Sequence, residues 1–193
     1  MPSNTEITAA QLGRLVGLPS APVIIDVRTD DDFAADPRLL PAALRRDPAT
    51  LAQWAPALAG RAVVVVCRTG RASSQGVAAH LRLAGVMAET LEGGFEAWRE
   101  NGGPLFSPAA LPPRDAAGRT WWVTRARPKV DRIACPWLIR RFIDPDAAFL
   151  FVGASEVEAV AQACGAAPFD IEGVAFSHRG DTCTFDTMID AFG

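Results

Sequence analysis

The chain lacks what would direct it to a membrane, to nucleic acid or to an oxidising compartment. No apolar run approaches the ~20 residues of a membrane-spanning helix. Met1-Pro2-Ser3-Asn4-Thr5-Glu6 has neither the basic stretch nor the apolar core of a secretory leader. Lys/Arg-rich runs are missing, and the formal net charge is −3. The densest basic cluster, Arg125, Arg127, Lys129 and Arg132, is broken by apolar and acidic residues. Bulk nucleic-acid binding is thereby disfavoured. The four cysteines, at 67, 135, 164 and 183, form no CxxC pair and no zinc-ribbon spacing. Scattered thiols fit a reducing cytosol better than a disulfide framework. The expectation is a soluble cytoplasmic protein with no membrane or nucleic-acid partner, and no residue pattern calls for a cofactor.

What is present is an ordinary globular composition, 49% hydrophobic and 21% charged over 193 residues. That length suits one large or two small domains. Thr8 and Gln11 form a candidate capping box before a short helix. Val23-Ile24-Ile25-Asp26-Val27-Arg28 is a dense β-branched run, expected as a buried parallel strand that delivers Asp26 and Arg28 to its C-terminal end. Asp30, Asp31 and Asp32 suit the N-terminus of the next helix. Leu51, Trp54, Ala55 and Leu58 recur at helical spacing, with Pro56 expected to shorten that helix. Val63 to Val66 predict a central strand, Val77, Leu81 and Ala84 one face of a helix, and Val86 to Leu91 another strand. Glu92-Gly93-Gly94-Phe95 turns into a closing helix.

This alternation predicts an α/β domain over residues 1–104, with a parallel sheet flanked by helices. Residues 105–118, rich in Pro, Ala and Gly, read as a linker. Residues 119–193 form a second, smaller α/β or α+β domain. In it Ile133, Trp137, Leu138 and Phe142 make a helical stripe, Ala148 to Val152 a buried strand, and Ser155 with Glu158 a capping box. Trp121, Trp122 and Trp137 read as core.

The chemistry concentrates in Cys67-Arg68-Thr69-Gly70-Arg71-Ala72-Ser73-Ser74, a basic loop between the central strand and a helix start. Ser73 and Ser74 are expected to cap that helix. A thiol there faces backbone N–H groups and the positive end of a helix dipole, a setting that favours thiolate. The alternative is an inert buried cysteine at a strand end. The strand–loop–helix context favours the reactive reading.

Four ordered signatures resemble the rhodanese (sulfurtransferase) family: Ile25-Asp26-Val27-Arg28, Leu40-Pro41-Ala42-Ala43, Cys67 to Ser73, and Leu91 to Trp98. The resemblance implies a rhodanese-like sheet and transfer of sulfane sulfur through a Cys67 persulfide, from a small anionic donor such as thiosulfate to a thiol acceptor. It makes Arg68, Thr69, Gly70, Arg71, Ala72 and Ser73 the substrate-binding loop, and Asp26 and Arg28 structural support. The family's Pro-Gly turn is here Pro41-Ala42, and Ala72 replaces an arginine, which leaves donor preference open. A related phosphatase would need an arginine where Ser73 stands, so phosphatase chemistry is disfavoured.

Residues from about 119 onward resemble the C-terminal domain of the chromate resistance protein ChrB family. The strings Val130 to Asp144 and Phe176 to Phe185 carry the resemblance. The family domain normally runs further, so an incomplete domain is expected. Asp131, Arg132, Cys135, His178, Arg179, Asp181 and Cys183 are candidates for one polar site. Arginines beside a thiol suit a tetrahedral oxyanion such as chromate; His178 with Cys135 and Cys183 suits a soft metal; a packing and ion-pair cluster is the third reading.

Overall fold

The computed structural model describes residues 5–127 and 129–193. It comprises two compact units, Met1–Phe106 and Ser107–Gly193.

The first unit is built on five parallel strands: β1 (Glu6–Ile7), β2 (Val23–Asp26), β3 (Leu44–Arg45), β4 (Ala62–Val66) and β5 (Met87–Leu91). Their order in the sheet is β1-β5-β4-β2-β3, so the valine-rich β4 is central. Val63, Val64, Val65 and Val66 are all buried, as β-branched side chains covered on both faces of a parallel sheet should be. Val63 and Val65 pack with Val23, Ile25 and Val27, and with Val77, Ala78 and Leu81 of the following helix. The register pairs Asp26 with Val66, so the ends of β2 and β4 are level. This places Arg28 and Cys67 at the same carboxyl edge, where open α/β sheets bind ligands.

Helices α1 (Ala9–Gly13), α2 (Asp30–Ala35), α3 (Leu51–Trp54), α4 (Ala72–Leu83) and α5 (Gly94–Glu100) complete the unit. The capping box of Thr8 and Gln11 is present. Pro56 lies in a 3-10 turn, Ala55–Leu58, that ends α3 after one turn. In the turn before β3, Ala43 N–H donates to Leu40 O at 3.0 Å, and Ala42 takes φ +58°. That is the left-handed position of a type II turn, where glycine is the unstrained residue.

In the second unit β6 (Trp121–Arg125) is flanked by β7 (Ala148–Val152) and β8 (Ala167–Pro168), all parallel, in the order β7-β6-β8. The crossovers are α6 (Asp131–Leu138), which runs into a π-helical turn Ile139–Ile143, and α7 (Val157–Cys164); α8 (Thr184–Phe192) follows. Trp122 is fully buried among the rings of Phe169, Phe176 and Phe192. Val123 packs on the other side with Val157 and Ala161 of α7.

Four local expectations are corrected here. Ser155 does not cap α7: it lies in the 3-10 turn Ala154–Glu156 and donates to the Glu156 carboxylate. The buried face of α6 and its π turn is Arg132, Cys135, Ile139 and Ile143, whereas Ile133 and Trp137 are exposed. The buried set keeps ordinary helical spacing but includes Arg132 and Cys135, while two large apolar side chains face out, so a stripe drawn through the large apolar residues misassigns the face. Trp137 is therefore not core; it packs edge-on against Phe142. Lastly, the stretch 105–118 is folded: Ser107 N–H donates to Phe192 O, and Arg114 pairs with the fully buried Asp144 at 3.2 Å.

Candidate functional site

Cys67 follows β4 directly and is buried. Its Sγ lies 3.1 Å from Ser74 Oγ, which in turn donates to Arg71 O. Helix α4 begins at Ala72, with Arg71 as N-cap and no side-chain cap. The expected capping by Ser73 and Ser74 is thus absent. Both lie inside the first turn, leaving its amides free of a side-chain cap, at the end where the dipole favours negative charge. A pocket of about 320 Å³ opens here, lined by Val27, Arg28, Thr29, Asp32, Cys67, Arg68, Thr69, Arg71, Ala72 and Ser73.

Two glycines shape the loop. Gly94 has φ +64°, and a Cβ on it would sit 2.3 Å from Cys67 O and 2.5 Å from Gly70 N. Gly70, at φ +68°, would bring a Cβ within 2.5 Å of Leu91 O. The backbones of 67–70 and 91–94 therefore touch, which only glycine permits. Phe95 N–H donates to Cys67 O at 2.9 Å, and Glu96 N–H to Arg68 O at 3.1 Å. The free amides of α5 thus occupy two loop carbonyls that would otherwise compete with an anion for the loop's own donors. Sequence reading isolated both signatures but not their contact.

The cations divide into three states. Arg28 is buried and saturated: it pairs with Asp26 at 2.7 Å, donates to Asp36 O and Arg38 O, and stacks 3.8 Å from the Phe95 ring centroid. It binds the loop after β2 to α5 and has little left to offer a ligand. Arg68 is exposed but held by Glu96 at 2.7 Å and Asp32 at 3.5 Å; the Glu96 hydrogen bond raises its pKa further. Arg71 lines the pocket, is exposed, and has no ion-pair partner among the described residues. Thr69 and Ala72 line the same pocket. His80 is exposed in the last turn of α4.

The second unit gathers some of its predicted residues and separates others. His178 Nε2 is 3.5 Å from both Asp131 Oδ2 and Asp170 Oδ1. One ligand atom from each of these three residues lies within 4.8 Å of the others. Asp170 Oδ2 is 3.2 Å from Arg132 Nε and 3.5 Å from an Arg125 nitrogen. The Arg132 contact lacks hydrogen-bond alignment, so that buried Nε–H has no acceptor among the described residues. Thr184 donates its hydroxyl to Asp170 Oδ1 and its amide to Asp131 Oδ2. A pocket of about 300 Å³ adjoins the cluster, lined by Arg125, Asp170, Ile171, Glu172, Gly173, Ser177 and His178.

Arg179 and Asp181 lie outside this cluster. Arg179 donates to Ala175 O and forms a two-way backbone bridge with Thr182, and Asp181 is exposed in the turn between them. The cysteines supply none of the three grouped ligand atoms. Cys135 is fully buried, and that burial, with the Asp131 and Asp170 charges, pushes its thiol up to about 12. Cys183 is the N-cap of α8. Its Asp186 backbone hydrogen bond lowers its pKa, but burial and the Asp186 and Asp131 carboxylates outweigh this and raise it. Sequence reasoning missed Asp170, which lies in no motif and is buried at φ +53° just after β8.

Fold and loop define the class: residues 8–101 match the rhodanese-like domain family, and the first unit is a rhodanese-like domain. Residues 122–193 match the family described as ChrB, C-terminal domain, so the chain joins these two domain types. Among characterised relatives, Protein ChrB of Cupriavidus metallidurans is 45% identical over 87 residues, covering 43% of this chain and 25% of that protein. The shared stretch thus spans about a quarter of that relative. Among solved structures, a rhodanese-related protein from Thermoplasma volcanium aligns with TM-score 0.45 at 23% identity, covering 52% of this chain and 95% of that one. A rhodanese-like domain protein from Staphylococcus aureus aligns with TM-score 0.43 at 31% identity, covering 49% and 90%. Among the described residues no helix is long and apolar enough to cross a membrane.

Proposed function

We propose that the chain is a sulfurtransferase that carries sulfane sulfur on Cys67 and acts in chromate or oxyanion resistance. The observation that carries this reading is Cys67 at the end of β4, facing the uncapped first turn of α4 across a pocket lined by Arg71, which has no ion-pair partner among the described residues. The Cys67 thiolate attacks the outer sulfur of thiosulfate; the S–S bond breaks and sulfite leaves with the electron pair. An acceptor thiolate or cyanide then attacks the terminal sulfur of the persulfide. The Cys67 thiolate is regenerated, and no net oxidation occurs. Loop amides of 68–73 and the N-terminus of α4 suit the anionic persulfide. Asp26 and Arg28 hold the strand end without touching the donor. The link to resistance rests on the ChrB-family second unit.

Thiocyanate formation from thiosulfate and cyanide tests the reading: wild type is expected to turn over and Cys67→Ser to be inactive. Equal activity of the two, or activity in neither, overturns it. Mass spectrometry is expected to find wild type, but not Cys67→Ser, heavier by one sulfur after thiosulfate treatment. Arg71→Ala is expected to raise KM for thiosulfate several-fold, and Arg68→Ala less, because Glu96 and Asp32 already neutralise Arg68.

A second reading is a non-catalytic regulatory module, in which the loop holds a sulfur ligand and the second unit senses chromate or a metal. The polar cluster around Asp170 favours its metal-sensing form. Stable sulfur loading on Cys67 without turnover to any acceptor would select this reading over the first.

A further inference from the structure

We propose that Asp131, Asp170 and His178 form a binding site for a divalent cation, held by two carboxylates and one imidazole rather than by thiols. This inference owes nothing to the chemistry of Cys67.

Two buried carboxylates facing each other repel unless a cation lies between or beside them. The side chains of Asp131 and Asp170 are only 14% and 7% exposed, and His178 Nε2 sits 3.5 Å from an oxygen of each. The arginines do not fill that position. Arg132 and Arg125 both approach Asp170 through Oδ2, the oxygen turned away from the imidazole, whereas Oδ1 faces His178. One carboxylate oxygen braced by cations while the other faces an imidazole is how a supporting shell orients a metal ligand. Thr184 fixes the other side of the pair, donating its hydroxyl to Asp170 Oδ1 and its amide to Asp131 Oδ2, the two oxygens that face His178 and that keep a further lone pair for an ion.

Arg132 supplies an independent sign that the cluster is not closed on itself. It is 7% exposed, yet its Nε–H makes no hydrogen bond although it stands 3.2 Å from Asp170 Oδ2. A cation drawing Asp170 into its coordination sphere would reorient that carboxylate and can bring Oδ2 into line with Nε–H. Access exists too: the cluster adjoins the 300 Å³ pocket, whose lining includes His178, Asp170 and the further carboxylate of Glu172. The imidazole side chain is 60% exposed, so the third ligand can move to accept an ion.

The charges also decide against an oxyanion at this place. Asp131, Asp170 and Glu172 balance or exceed Arg125 and Arg132, so an incoming chromate or sulfate would meet carboxylates rather than free guanidinium groups. Two oxygens and one nitrogen select a hard or borderline ion such as Mn²⁺, Fe²⁺ or Zn²⁺ over Cu⁺, and three protein ligands leave positions open for water.

The test is calorimetric titration of the full chain, first stripped with a chelator, using Mn²⁺ and Zn²⁺ separately, with Mn²⁺ electron paramagnetic resonance as a second readout. One ion per chain is expected. Affinity is expected to fall at least tenfold in His178→Ala and Asp131→Asn, and to be unchanged in Cys183→Ser. His178 is largely exposed, so its variant keeps the test decisive if Asp131→Asn fails to fold. No binding by wild type, equal binding by His178→Ala, or loss in Cys183→Ser with retention in His178→Ala would each overturn the site. Sulfurtransferase activity is read in parallel, so failure of one proposal leaves the other standing.

Discussion

The two units place their proposed sites at the same part of an α/β layer by opposite means. Both use the carboxyl end of a parallel sheet and the helix that follows. In the first, the site is mostly backbone: Cys67 faces an uncapped helix turn, and the loop is pressed into shape by Gly70 and Gly94. In the second it is mostly side chain, with Asp131, Asp170 and His178 drawn from α6, the segment after β8 and the turn before α8. Thiols show the contrast. Cys67 borders a pocket, whereas Cys135 is fully buried, which with the nearby Asp131 and Asp170 charges pushes its pKa up to about 12. Apart from Cys67 and Arg71, the first site therefore depends on backbone placement, whereas the second depends on its charged side chains.

Substitutions can break that comparison. The largest effect is expected in the second unit: Asp170→Asn removes the counter-charge from Arg132 and Arg125 and should cost roughly 3 kcal/mol or more, read as a lower urea midpoint. Thiocyanate formation should be little changed if the two sites are independent. Next comes Gly94→Ala, which forces a left-handed alanine at about 1–2 kcal/mol before the overlap with Cys67 O is counted. It should depress sulfur transfer more than tenfold while Mn²⁺ binding persists. Loss of both functions in either variant would show that the sites are coupled.

The Cys135 thiol gives a pH-dependent effect. Its folded pKa, about 12, lies above the unfolded value near 8.5, so the folded state retains a proton that the unfolded chain loses. The stabilisation it contributes is complete below pH ~8.5 and is lost as pH rises toward 12. Denaturant midpoints between pH 8 and 11 should fall in wild type and fall less steeply in Cys135→Ala. Ala42→Gly is the smallest change: relieving φ +58° should raise stability by about 0.5–1 kcal/mol, seen as a slightly higher Tm, with transfer kinetics unaltered.

Much of the first unit was legible because its signals are local. Val63 to Val66 are followed at once by Cys67, and strand–loop–helix order alone puts that thiol at a sheet edge. The linker and the cap on α4 were misjudged for a related reason: composition does not say whether a proline-rich segment finds acceptors such as Asp144, nor where a helix's first turn begins. In the second unit the buried face of α6 carries Arg132 and Cys135 while Ile133 and Trp137 are exposed, so apolar spacing pointed to the wrong face. Asp170 was invisible, since a single aspartate between Phe169 and Ile171 carries no pattern.

By itself, then, the order of residues determined the alternating strands and helices of the first unit and the place of Cys67, because each follows from periodicity or chain order over a few neighbours. Tertiary structure alone decided that Gly94 closes on the Cys67 carbonyl, that Arg68 is held by Glu96 and Asp32 while Arg71 has no ion-pair partner among the described residues, and that Asp131 and His178 meet Asp170 rather than a cysteine. These depend on approaches between segments far apart in the chain. Their energies arise from contact and desolvation, which no local pattern encodes.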